Sequence, residues 1–368
     1  MRWFSFPRPA GPFPPFTGPQ ARRRSSRRRR GPPHGPVLRF VGGAGVAFGV
    51  AALLATPAAA QTIPLGANLE RFAYPPELRW FEADGLRMAY LDFAPQGRAN
   101  GRTLVLLHGK NFCAVTWEET ARALAARGYR VIAPDQVGFC KSSKPAGFQY
   151  SFAALASLTR QLLHQAGAGP VTLIGHSTGG VLAIRYALLW PAEVRSLALV
   201  NPLGLNDTLA EGVPYAGLAQ LRAEEAKTSA ATIRGYQLKN YYHGAWRPAY
   251  DRWVQMLAGQ YAGGDGGVVR EAQARLSEMI ETQPVAAELA RVRQPVTLLI
   301  GQEDKTAFRG NTAAAGAHVR AVPEAAESAA RAFRQGRLVR LAGLGHAPQV
   351  EDPARFGAAL IEAVEERR

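Results

Sequence analysis

Val171 to Trp190, VTLIGHSTGGVLAIRYALLW, admits few folds. Val171 to Ile174 is an apolar, β-branched run of buried-strand length, and Val181, Leu182, Ile184, Ala187 and Leu188 then recur at helical spacing. Between them Gly175-His176-Ser177-Thr178-Gly179 matches G-x-S-x-G, the turn that lifts a nucleophile above the edge of a parallel sheet. So tight a turn strains its middle residue and leaves room only for small residues two positions to either side. Gly179 and Gly180 in a first helical turn each cost about 1 kcal/mol relative to alanine, so close backbone approach must hold them there. Ser177 is the candidate nucleophile; the alternative is a glycine-rich turn with an incidental serine.

The chain around this elbow alternates strand and helix. Arg87 to Phe93 alternates as an early strand after an extended segment over 61–78. Thr103 to Leu107 runs into His108-Gly109-Lys110-Asn111-Phe112, Trp117 to Arg127 reads as a helix, and Tyr129 to Ala133 is the next strand. A helix over Phe152 to Ala166 precedes the elbow, and Ser196 to Val200 follows it. Such alternation predicts an α/β fold with a mostly parallel sheet, right-handed crossovers and a site at the carboxyl ends of the strands.

Alternation stops at Leu203. Helical stretches near Ala216 to Ala226, Ala230 to Tyr242, Pro248 to Tyr261 and Val268 to Glu281 follow, before strands return at Val296 to Ile300 and Leu338 to Leu341 and a helix closes the chain from Pro353. An insertion of about 90 residues far exceeds an ordinary connection, and it reads as a helical lid. The expected organisation is a signal segment over 1–60, core over 61–202, lid over 203–294 and core over 295–368.

The net charge of +16 is mostly an N-terminal property. Residues 1–60 hold ten arginines and no acids, which leaves 34 basic against 28 acidic residues elsewhere. Nothing folded accompanies the arginine run, so a nucleic-acid partner is not expected. Basic residues, the apolar Phe40 to Ala55 and then Ala58-Ala59-Ala60 follow the grammar of a secretory signal cleaved after Ala60. The expectation is a periplasmic or secreted protein with no membrane span after cleavage; the alternative is an uncleaved anchor at Phe40 to Ala55.

A serine hydroxyl needs a base within hydrogen-bond reach, itself oriented by a third group. The strand at Val296 to Ile300 ends in Gly301-Gln302-Glu303-Asp304, and the last strand is followed by Gly343-Leu344-Gly345-His346. Ser, Asp, His is the order expected for this elbow, which makes His346 the base and Asp304 its orienting acid. Glu303 and Asp207 are the competing carboxylates. Among the other histidines, His176 is expected to point away from the reacting centre; Asp135 reads as a structural loop residue. The oxyanion donors would be the backbone N–H groups of Thr178 and Lys110. The side chains of Lys110 and Asn111 face either the substrate or solvent.

At this point the motifs resemble the α/β-hydrolase fold superfamily, in the lidded branch that holds small esterases, meta-cleavage C–C hydrolases, prolyl iminopeptidases, haloalkane dehalogenases and epoxide hydrolases. LLHGKNF resembles its oxyanion loop, PDQVGFCKSSKP the next loop, GHSTGG its elbow, GQEDKTA its acid turn and GLGHAPQVEDP its histidine loop. The resemblance implies an eight-stranded-type sheet and a hydrolase. Dehalogenases and epoxide hydrolases of this branch carry an aspartate where Ser177 stands, and Lys110-Asn111 departs from the iminopeptidase loop. The reading is therefore an ester hydrolase for small to medium apolar acids; the alternatives are a C–C hydrolase, an aminopeptidase-like hydrolase and a ligand-binding fold without turnover.

Neither a metal nor an organic cofactor is expected, since no zinc-like Cys or His spacing, phosphate loop or G-x-G-x-x-G after a strand is present. Phe112, Tyr242 and Trp246, with Asn111, are candidate pocket residues; the aromatic group at Tyr236, Tyr241, Tyr242, Trp246, Tyr250 and Trp253 either lines a pocket or packs the lid. In the fold the chain resembles, the strands before Cys113 and Cys140 are neighbours, about 4.8 Å apart. These two cysteines are therefore expected to form a disulfide on adjacent loops, with buried free thiols or a reactive cysteine as alternatives.

Overall fold

A computed structural model describes residues 62–365. The signal segment and its cleavage point lie outside the described residues. In chain order the elements are β1 (Leu78–Ala83), β2 (Leu86–Phe93), β3 (Thr103–Leu107), α1 (Glu118–Ala125), β4 (Arg130–Pro134), α2 (Phe152–Gln165), β5 (Val171–His176), α3 (Thr178–Leu189) and β6 (Val194–Val200). Then come α4 (Leu218–Glu225), α5 (Ala230–Asn240), α6 (Asp251–Tyr261), α7 (Gly266–Thr282), β7 (Val296–Gly301), α8 (Val322–Ala332), β8 (Gly336–Leu341), α9 (Pro348–Glu351) and α10 (Pro353–Glu365).

The eight strands form one sheet in the order β1-β2-β4-β3-β5-β6-β7-β8. β1 and β2 pair antiparallel, as do β2 and β4; every pairing from β4 to β8 is parallel. Strands buried on both faces read as unbroken apolar runs, which is why β3 (TLVLL) and β5 (VTLIGH) lack polar alternation. Val105 and Leu107 face α2, α3 and α8, while Leu104 and Leu106 face α1 and α10. Each such buried side chain contributes about 1.5–3 kcal/mol.

Between β6 and its parallel neighbour β7 the chain makes four helices, α4 to α7. Leu276 and Met279 of α7 join the core against the sheet, and α4 is tied to α7 by Arg222, whose Nε lies 2.7 Å from Glu271. Two elements depart from the sequence reading. Leu78–Ala83, which begins where the segment expected as extended over 61–78 ends and was not itself expected as a strand, is an edge strand in register with β2, and α8 lies where no helix was expected. Leu78–Ala83 escapes notice because Trp80 points outward with the Arg87 guanidinium 3.6 Å above its ring, masking the usual alternation.

Candidate active site

The parallel order β3-β5-β6-β7-β8 brings five consecutive strand ends together: Gly109-Lys110-Asn111, Ser177, Asn201, Asp304 and His346. Ser177 has φ 54° and ψ −119°, the strained conformation the elbow demands. A Cβ on Gly179 would lie 2.2 Å from the Leu107 carbonyl oxygen, and one on Gly109 would lie 2.8 Å from Ser177 Cβ. The loop after β3 is thus pressed against the elbow with no space for a larger residue. Thr178 is the first residue of α3, and N–H groups in a first helical turn have no intrahelical acceptor.

His346 donates from Nδ1 to Asp304 Oδ2 over 2.7 Å, and both side chains are fully buried. With that proton fixed on Nδ1, Nε2 keeps its lone pair; it is buried and makes no hydrogen bond among the described residues. Asp304 is held in turn, Oδ1 accepting from Thr306 N–H at 2.7 Å and Oδ2 from Asn201 Nδ2 at 2.7 Å. The competing carboxylates lie elsewhere. Asp207 accepts the N–H groups of Leu209 and Ala210, and Glu303 is exposed.

His176 corrects one expectation: its ring does not turn away but packs 4.9 Å from that of His346, and its Nε2 lies 2.8 Å from the His346 carbonyl oxygen. Burial, with the neighbouring His346 next, holds its pKa well below the ordinary imidazole value, so it is neutral. Asp135 binds three segments, accepting from Ala114 N–H (2.7 Å), the Tyr74 hydroxyl (2.8 Å) and Lys141 N–H (3.1 Å). Beside it Cys113 and Cys140 are joined in a disulfide with Cα atoms 5.8 Å apart, linking the loops after β3 and β4. Among the described residues these three are the one cluster with metal-ligand spacing, and the bond leaves neither sulfur a thiolate.

Lys110 and Asn111 line a cavity of about 470 Å³ roofed by α4, α5 and α7, with Tyr236, Leu257, Gln273 and Arg309 among its walls. Lys110 Nζ faces neither open solvent nor free space; it lies 2.8 Å from Glu225 of α4. The Arg309 guanidinium pairs with the adjacent Glu224. Tyr242 is not in the cavity lining. It stacks on Tyr250 with ring centroids 3.8 Å apart, while Trp246 meets both rings edge-on. Phe112, Tyr241, Tyr242 and Tyr250 cluster with Ala347, so most of these aromatics pack the helical insertion onto the histidine loop.

Sequence reasoning missed Asn201 and Glu351. Glu351 Oε2 accepts Gly345 N–H at 2.6 Å, and its Oε1 lies 2.7 Å from His243 Nε2. Only Asn201 offered a signal, as an Asn ending a strand next to the acid's strand.

A family model described as the alpha/beta hydrolase fold matches residues 102–353. The chain belongs to the α/β-hydrolase fold family. This hydrolase is 50% identical to a probable hydrolytic enzyme of Pseudomonas aeruginosa whose solved structure superposes with a TM-score of 0.79, covering 82% of this chain and 99% of that one. It is 26% identical to Lipase 1 of Psychrobacter immobilis over 276 residues, 73% of this chain and 78% of the lipase. It is also 32% identical over 115 residues to a 2-hydroxy-6-oxo-2,4-heptadienoate hydrolase of Pseudomonas putida, 31% of this chain and 42% of that enzyme. No helix of the described residues is long and apolar enough to cross a membrane.

Proposed function

We propose that this hydrolase cleaves carboxylic esters through an acyl-enzyme on Ser177, with His346 as general base and Asp304 as its orienting acid. The observation that carries the reading is the buried 2.7 Å contact between His346 Nδ1 and Asp304, which leaves Nε2 unengaged, together with the strained backbone of Ser177 at the end of β5 in the same sheet. Ser177 Oγ attacks the ester carbonyl as Nε2 takes its proton, and the N–H groups of Lys110 and Thr178 stabilise the oxyanion. Collapse releases the alcohol, which leaves with the proton from His346; water then repeats the sequence on the acyl-enzyme and frees the acid and Ser177. No hydrogen bond from Ser177 to Nε2 is present among the described residues; in this reading it forms when substrate binds.

An ester is favoured over a C–C bond because similarity to the lipase runs through 73% of the chain, whereas similarity to the heptadienoate hydrolase covers 31%. The α4 to α7 insertion acts as a lid in this reading, seated on the core by the Lys110–Glu225 and Arg309–Glu224 pairs. Export is supported by the N-terminal grammar and by the disulfide, a bond that persists in oxidising compartments. Turnover of p-nitrophenyl acetate and butyrate by the purified protein, abolished by Ser177→Ala, is the expected result. Cleavage of a vinylogous diketone with no ester turnover favours the C–C reading instead.

A further inference from the structure

Tyr241, which follows α5 in the insertion, touches His346 in two ways. Its carbonyl oxygen accepts the His346 N–H at 3.1 Å, and its ring lies on the imidazole with centroids 4.5 Å apart and planes inclined by 33°. The approach is enforced: a Cβ on Gly345 would sit 1.8 Å from the Tyr241 carbonyl oxygen, so only glycine fits there. At its far end the Tyr241 hydroxyl accepts from Asn111 Nδ2 at 2.9 Å. The residue is 3% exposed and His346 is 0% exposed, so water is excluded from the contact.

The charge on His346 changes during the reaction proposed above. When Nε2 takes the proton from Ser177, a cation forms where there is almost no solvent to stabilise it. Asp304 meets it at the Nδ1 edge, and His176, kept neutral by burial, packs at 4.9 Å without opposing it. Glu351 lies one residue away from His346, accepting the Gly345 N–H and paired with His243, and Tyr236, whose ring centroid is 5.5 Å from that of Tyr241, is an uncharged phenol at neutral pH. What faces the imidazole plane closely is the π surface of Tyr241, and an aromatic face attracts a cation most when the pair is desolvated.

We propose that Tyr241 is a positioning residue of this hydrolase: its ring stabilises the imidazolium that His346 becomes, so the strength of the base depends on the seating of the helical insertion. The proposal rests on the Ser177 and His346 assignment. It implies that the base is at full strength only with the insertion closed, which couples proton transfer to exclusion of water.

The test uses p-nitrophenyl butyrate and the purified full chain. Tyr241→Leu is expected to lower kcat about tenfold with KM within about twofold, because the lost interaction exists only once the cation forms. Tyr241→Phe keeps the ring, loses only the Asn111 contact, and is expected to fall about two- to threefold. Should the leucine variant fold poorly, phenylalanines bearing one, two and three fluorines at position 241 keep the shape while draining the ring face. A stepwise fall of log kcat with fluorine number supports the proposal. A flat fluorine series, equal losses for Phe and Leu, or a loss confined to KM overturns it. If Ser177→Ala retains turnover, the nucleophile assignment fails; if Ser177→Ala is dead and the fluorine series is flat, this proposal alone fails.

Discussion

Asn201→Ala tests how the acid of the site is held. Asn201 is fully buried, donates from Nδ2 to Asp304 Oδ2 at 2.7 Å, and accepts the Gly301 N–H on Oδ1 at 3.1 Å. Its φ of 41° lies in the left-handed region, which asparagine tolerates and alanine does not. Loss of a hydrogen bond to a charged group costs about 1.5–3 kcal/mol, and orphaning a buried N–H about 1–3 kcal/mol. Left-handed alanine adds about 1 kcal/mol. These contributions overlap, and water entering the vacated space recovers part of them, so a destabilisation of about 3–5 kcal/mol is expected. Urea unfolding followed by tryptophan fluorescence measures it. Freed of one donor, Asp304 can swing away from His346, and kcat on p-nitrophenyl butyrate is expected to drop about 10- to 100-fold. Asn201→Asp keeps the shape and the left-handed tolerance but sets a second carboxylate against Asp304, so it should be worse than alanine. An aspartate variant more active than the alanine variant, or an alanine variant with wild-type kcat, would refute the electrostatic argument.

The double substitution Cys113→Ser and Cys140→Ser removes a bond closing a separation of 27 residues. Chain entropy alone puts the loss at about 3.5 kcal/mol, or roughly 5–6 °C in Tm for a domain of this size, measurable by calorimetry; an unchanged Tm would rule out a stabilising role. Glu271 is held down to about 2, against an ordinary 4.5, by hydrogen bonds from Arg222 first and Arg275 after it. A depressed carboxyl contributes stability that is present above 4.5 and lost as pH falls through about 2, and solvent screening limits it to about 1 kcal/mol. Glu271→Gln should therefore flatten the decline of stability between these pH values, and an unaltered acid limb in the melting profile counts against the link.

Much of the fold was legible because parallel strands buried on both faces leave unbroken apolar runs, and because the elbow's glycines are costly anywhere backbones do not nearly touch. Position at a strand end singled out Ser177, Asp304 and His346. What stayed illegible depends on contacts between residues far apart in the chain. Asn201 reaches Asp304 across 103 residues, and Asn111 reaches the Tyr241 hydroxyl across 130. Glu351, six residues from Gly345, escaped because its carboxylate turns back under the loop, where an acid near a helix start reads as solvated. Tyr242 and Trp246 lie within five residues of Tyr241 and are aromatic like it, and only packing separates the ring that lies on His346 from those that hold the insertion together.

The measurement that bears most directly on the account is covalent trapping of the nucleophile. The purified protein is treated with a fluorophosphonate, weighed intact, and digested to locate the adduct. One adduct per chain on the peptide carrying Ser177, absent from Ser177→Ala and formed far more slowly in His346→Ala, is the result the account predicts. An adduct on any other residue, or equal labelling of Ser177→Ala, would contradict it.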